Sequence, residues 1–317
     1  MDALSDVLKS VHLEGAMYLN AEFTAPWCIR GECNVPTIRE RLRGAGQVAF
    51  FHYVIEGRCQ VRLLDGGEVH DVEAGQLILI PSDEAHLLAS DIHLAPQEVT
   101  GWEDSDPHRD QFVQIRQGGN GALTRFVCGF LACGHGASRP LFDALPRMLC
   151  IPVGDTLPQH LLQHGVRETA AKRPGADSLL AKLAELLFVE ALRRYVESLP
   201  PGGTGWLAGV RDAHVGRALA LLHHDPARAW TVDELAREVA ISRSALAERF
   251  AALVGEPPMQ YLTGWRLALA ARALRASDEA LVRVAERAGY ESEAAFSRAF
   301  KREFGMPPAA WRKTERE

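Results

Sequence analysis

The feature that most restricts what this chain can fold into is an internal copy. At an offset of fifty residues, Ser242 aligns with Ser292, Ala245 with Ala295, Leu246 with Phe296, Phe250 with Phe300, Gly255 with Gly305, and Pro257-Pro258 with Pro307-Pro308. Tyr261 against Trp311 extends the match. Upstream of each serine a second apolar run recurs, Val232, Leu235, Ala236 and Val239 in one copy and Leu281, Val284, Ala285 and Ala288 in the other. Both runs have the spacing of an amphipathic helix. Only "AIS" and "GYES" separate the runs from the serines, so each copy predicts helix, tight turn, helix. Thr231 or Ser277 is expected to cap the first helix, Ser242 or Ser292 to open the second, and Gly255 or Gly305 to end it. This is a helix-turn-helix pattern. An ordinary helical hairpin would account for one copy. Two copies joined by the uninterrupted run "PMQYLTGWRLALAARALRAS", with Leu262, Trp265, Leu269 and Ala273 at helical spacing, predict a rigid pair. Such a pair suits consecutive major grooves, which return to one face of a duplex about every 34 Å.

Residues from about 206 to 313 resemble the two-unit DNA-binding domain of AraC/XylS-family transcription regulators, and "AERAGYESEAAFSRAFKREFGMPPAAWR" is close to that family's signature over its full length. The resemblance implies that Arg243, Ser244, Ala247 and Glu248 face the groove from the first recognition helix, and Glu293, Ala294, Ser297 and Arg298 from the second. Glu248 departs from a common pattern, since many relatives carry a basic or amide reader there. A carboxylate can accept from cytosine N4 but cannot bond guanine O6 or N7. The alternative is that Glu248 pairs with a neighbouring arginine.

Charge divides along the chain. Residues 206–317 hold 17 Lys+Arg against 15 Asp+Glu, whereas residues 1–205 hold 18 against 26. Only the C-terminal part is expected to approach a phosphate backbone, and there through clustered positive charge, with affinity that falls as salt rises. No apolar run approaches the roughly 20 residues of a membrane span, and "MDALSDVLKS" has the form of no export signal, so a cytoplasmic protein is expected. Its six cysteines then default to thiols, ligands or redox sensors.

From about residue 12 to 133 the pattern changes to short strand-like runs, "AMYLNAEF", "VAFFHYVI", "CQVRLL", "QLILIP", "HLLAS" and "TRFVCGFLAC". Their spacing predicts a β-barrel or sandwich. The polar stretch from Asp91 to Asn120 reads as a long loop. Gly46, His52, Val54, Cys59 and Gly66 follow the spacing of the first cupin motif, and Gly75, Pro81, Asp83 and His86 that of the second. The region resembles the cupin-type sensor domain of a subset of AraC-like regulators. Metal cupins hold an ion at those positions, so the resemblance implies a site of His52, Cys59 and His86 suited to zinc. The competing reading makes them barrel core, because valine occupies the position of the second histidine. Some members of this group respond to oxidants through cysteines, and "VCG" resembles a segment they share. Cys28, Cys33, Cys128 and Cys133 are therefore redox candidates. Cys28 and Cys33 stand in an apparent loop, whereas Cys128 and Cys133 alternate to opposite strand faces.

After Pro146 the chain reads as helical, notably "DSLLAKLAELLFVEALRRYVES", which is apolar around much of its surface and so expects burial on two sides. The resemblance implies dimerisation there. The expected organisation is a cupin-like sensor at 1–145, a helical dimerisation segment at 146–198, a linker at 199–206 and an all-α DNA-binding domain with two helix-turn-helix units at 207–317. The function expected is a homodimeric transcription regulator, an activator that contacts RNA polymerase at promoter DNA, with an effector or oxidant acting on the sensor. The rival is a cupin metalloenzyme with an accessory helical domain.

Overall fold

A computed structural model describes residues 2–10, 18–32, 47–82, 84–99, 112–133, 139–153, 157–171, 173–200 and 202–314. In chain order its elements are α1 (Ala3–Ser10), β1 (Tyr18–Thr24), β2 (Cys28–Gly31), β3 (Gln47–Glu56), β4 (Arg58–Leu63), β5 (His70–Glu73), β6 (Gln76–Ile80), β7 (His86–Ala89), β8 (Phe112–Gly118), β9 (Leu123–Cys133), α2 (Arg139–Asp143), β10 (Leu149–Pro152), α3 (Leu157–Ala170) and α4 (Ala176–Ser198). The C-terminal part continues through α5 (Trp206–Arg211), α6 (Val215–His224), α7 (Val232–Glu238), α8 (Arg243–Val254), α9 (Pro258–Ala276), α10 (Leu281–Arg287), α11 (Glu293–Phe304) and α12 (Pro308–Thr314).

The chain folds as two compact units. One comprises residues 13–133 and 145–198; the other comprises 1–12, 134–144 and 199–317. The second is therefore not continuous in sequence. Ala3, Leu4 and Val7 of α1 are buried, and this helix packs on α6, while α2 packs on α5. The stretch expected as a free linker is tied down as well, since Arg211 donates to the carbonyl of Leu199 and Trp206 is buried.

The first unit is a sandwich of two sheets, a six-stranded one in the order β10-β6-β3-β9-β1-β8 and a four-stranded one in the order β2-β7-β4-β5. Phe23, Phe50, Val61, Ile78, Leu88 and Phe126 from both sheets share one core with Trp27 of the β1–β2 connection, as alternating inward positions of facing sheets require. Four strands lie where none is expected from the sequence. β8 falls inside the presumed loop and pairs parallel with β1. β10 precedes the helices after Pro146 and pairs with β6. β2 and β5 line opposite edges of the smaller sheet. In α4, Leu180, Leu183, Leu187 and Leu192 are buried against α3 and β10.

In the second unit the duplicated pattern folds as expected. Ser242 and Ser292 cap α8 and α11 by accepting from the amides of Ala245 and Ala295, both at 3.2 Å. Gly255 and Gly305 end the same helices in the left-handed conformation, φ 89° and 77°. Thr231 and Glu234 form a reciprocal capping box at α7. Ser277 does not cap the matching helix of the second copy. It ends α9, bonding the Ala273 carbonyl at 3.0 Å, and α10 starts after Ala280 without a side-chain cap. The connector α9 buries Leu262, Trp265, Leu267, Ala270, Ala271 and Leu274. Among the described residues no helix is long and apolar enough to cross a membrane.

Candidate functional site

The sequence of α11 sorts its residues by face. Phe296 and Phe300 are fully buried, with ring centroids 5.5 Å apart, and Phe300 reaches Phe304 and Trp311 at 4.5 and 5.9 Å. This apolar ridge fixes the helix on α9 and turns the other side outward. Glu293, Ala294 and Arg298 are exposed and Ser297 is half-buried. In α8, Leu246 and Phe250 are buried, leaving Arg243, Ser244 and Glu248 exposed and Ala247 half-buried. The eight residues thus form two matching polar faces at equivalent positions of the copies.

Their electrostatics differ. Arg298 and Glu248 have no ion pair among the described residues, so the alternative in which Glu248 is neutralised by a neighbouring arginine is not what the structure adopts. Arg243 meets Asp233 of α7 at 3.3 Å, with both side chains more than half exposed, a contact that water screens and that a phosphate can displace. Arg249, which the sequence did not single out, is committed elsewhere. It bonds Asp212 through Nε at 2.8 Å, and the guanidinium holds the Asp212 carboxyl below the usual range against the opposing effect of burial. Asp212 stands far from Arg249 in sequence, so periodicity alone carries no sign of the pair.

The expected metal positions give a different arrangement. His52 and His86 are buried and do meet, across the two sheets, with Nε2 to Nε2 at 2.8 Å. The thiol beside His52 is not that of Cys59 but that of Cys128, 2.7 Å from Nδ1, because β3 and β9 pair with His52 opposite Cys128. His86 Nδ1 lies 2.9 Å from the Glu84 carbonyl. That oxygen only accepts, so His86 carries its proton on Nδ1 and accepts at Nε2 from His52. His52 Nδ1 then accepts from the Cys128 thiol. One directional chain satisfies every member without charge.

Burial pushes the His86 imidazole down to about 4 and the His52 imidazole well below its ordinary value, with His86 adding to the second effect. Burial raises the Cys128 thiol and takes Cys59 to about 12. A Cβ at Gly31 would overlap the His86 ring, so β2 passes this close only because a glycine stands there.

A zinc ion does not fit this set. Two nitrogens on one tetrahedral zinc lie about 3.3 Å apart with no proton between them, and Cys128 occupies the nitrogen of His52 that points away from His86. Among the described residues no group of three or more His, Cys, Asp or Glu side chains could hold a metal ion. The expected His52, Cys59 and His86 site is corrected to a buried hydrogen-bonded chain with Cys59 in the neighbouring core.

The redox expectation changes too. Cys28 lies in β2, fully buried, where burial raises its thiol. It is not in an exposed loop, because "CIRG" pairs with β7. Cys33 lies outside the described residues, and Cys133 ends β9 opposite Gln47, with nothing described of its side chain.

Comparison with known proteins agrees with both halves. A family described as cupin matches residues 2–197, and one described as helix-turn-helix domain matches residues 235–314. The chain is similar to a putative AraC-like transcription regulator of Streptomyces lividans, at 37% identity over 99% of this chain and 98% of the relative. It is similar to the regulator AlkR of Acinetobacter baylyi, at 30% over 98% and 99%. It is also similar to RclR of Escherichia coli, named an RCS-specific transcriptional activator, at 26% over 100% and 99%.

Proposed function

Because this chain belongs to the AraC family of transcription regulators, with a cupin domain ahead of its helix-turn-helix domain, we propose that α8 and α11 read successive major grooves of promoter DNA through Arg243, Ser244, Ala247, Glu248, Glu293, Ala294, Ser297 and Arg298. The observation that carries this reading is the pair of serine-capped, glycine-terminated helices fixed on the single buried helix α9, each with its polar face exposed. Arg298, unpaired, is the guanine reader in this scheme, and Glu248 accepts from cytosine. The positive side chains on the rim anchor phosphates without choosing a sequence.

The sandwich unit is the sensor. Cys28, Cys59 and Cys128 are buried and burial raises their thiols, which favours a bound effector over direct oxidation at these three, since thiolate and access are both needed for reaction. The chain works as an activator, in keeping with the name given to RclR; it contacts RNA polymerase and forms a homodimer joined through α4. A gel shift of the full chain on its promoter fragment, with polyanion competitor and across a salt series, tests the core of this scheme. Retention of a sequence-specific complex under competitor supports it, and binding that the competitor abolishes for every fragment alike rules it out.

A further inference from the structure

Between the two helix-turn-helix copies lies a cavity of about 550 Å³. Its walls come from the ends of α8 and α11, the first half of α9 and the segment around α2, all within the unit formed by residues 1–12, 134–144 and 199–317. Four features of the lining agree in sign. Glu256 and Glu303 enter from the two copies, and among the described residues no lysine, arginine or histidine lines the cavity. Both α8 and α11 terminate beside it, and helix C-termini present partial negative charge. Trp206, Tyr261, Trp265 and Phe304 supply aromatic walls, and aromatic rings attract cations. Finally, burial, and after it the like charge of Glu303, raises the Glu256 carboxyl above its ordinary value against a hydrogen bond from Gln260. An ammonium between the two carboxylates would relieve that repulsion.

One further observation points to an organic occupant. Gly264 stands inside α9, where glycine is unfavourable, and a Cβ there would meet nothing within 4 Å, so the missing side chain keeps the space open. We propose that this cavity binds an organic ammonium ion with an apolar body, its charged end between Glu256 and Glu303 and its body against the aromatic walls.

Three probes with one body and different charge test the site by calorimetry on the full chain: 2-amino-1-phenylethanol, 1-phenylethane-1,2-diol and mandelate. The ammonium is expected to bind about tenfold tighter than the neutral diol, and mandelate not to bind. Glu303→Gln, at an exposed position, should bring the ammonium down to the affinity of the diol. Gly264→Leu should abolish binding of both, with circular dichroism verifying the fold. Equal affinity for the three probes, no heat from the ammonium at millimolar concentration, or binding unchanged in both variants overturns the proposal.

Discussion

Arg298 and Phe300 stand two positions apart on α11 and do opposite work. Arg298 is exposed and unpaired, so Arg298→Ala should leave the fold intact and cost about 1–3 kcal/mol of sequence-specific binding if it bonds guanine bidentately. A footprint at unchanged protein concentration would remove Arg298 from the reading set. Phe300 is fully buried, and Phe300→Ala should cost about 3–5 kcal/mol of stability, visible as early melting of the DNA-binding unit. The buried histidines add a pH dependence. His86 and His223 take a proton only near pH 4 when folded, against an ordinary 6.5. Below pH 6.5 the unfolded state therefore binds more protons, and stability falls on acidification by about 1.4 kcal/mol per pH unit for each ring. Urea midpoints at pH 7, 6 and 5 should fall in that order; a flat series would mean that the rings are not held neutral. The residue faces of α11 were legible from periodicity. The partner of His52 was not, since strand register determines it.

At the scale of elements, α4 is the informative helix. Its inner leucines are covered, yet Leu179 and Leu186 remain 40% and 41% exposed, seven residues apart and so on one face two turns along. The charged residues around them, with Lys182 bonding Glu185 at 3.0 Å, give the face a polar rim of the kind interfaces have. Leu179→Glu with Leu186→Glu should convert a dimer to a monomer in sedimentation while leaving the melting of the sandwich unit within about 0.5 kcal/mol. A dimer that survives both changes would place the interface elsewhere. The missed strands show what limits reading at this scale. β8, "FVQIRQG", is an edge strand whose Gln114 and Arg116 are exposed while Ile115 is buried, and its polar face resembles a loop. β2 and β10 are four residues each, too short to show a period.

At the scale of the whole molecule, the N-terminus departs most from expectation. Helix α1 precedes the sensor in sequence and packs on α6 of the DNA-binding unit, where Val7 is fully buried. Val7→Asp should lower the stability of that unit by about 2 kcal/mol or more, through lost apolar burial and a desolvated carboxylate. Thermal melting of the full chain, followed by the gel shift, reads this directly, and an unchanged melt would show that α1 is dispensable. A fragment of residues 199–317 lacks both α1 and α2, so it should bind DNA more weakly than the full chain on a paired site, from lost support and lost effective concentration.

The sequence by itself determined what depends on local repetition. The duplicated helix pairs, their serine and glycine boundaries, the apolar connector and the strand-rich character of the first half all follow from periods of two and 3.6 residues and from residues that suit helix ends. Tertiary structure alone decided which thiol meets His52, that Cys28 is buried, that Ser277 ends α9, and that α1 belongs with helices two hundred residues away. Each of these depends on register or on the docking of distant segments. No local period encodes such contacts, because the free energy that selects them is shared among all the surfaces that become buried together.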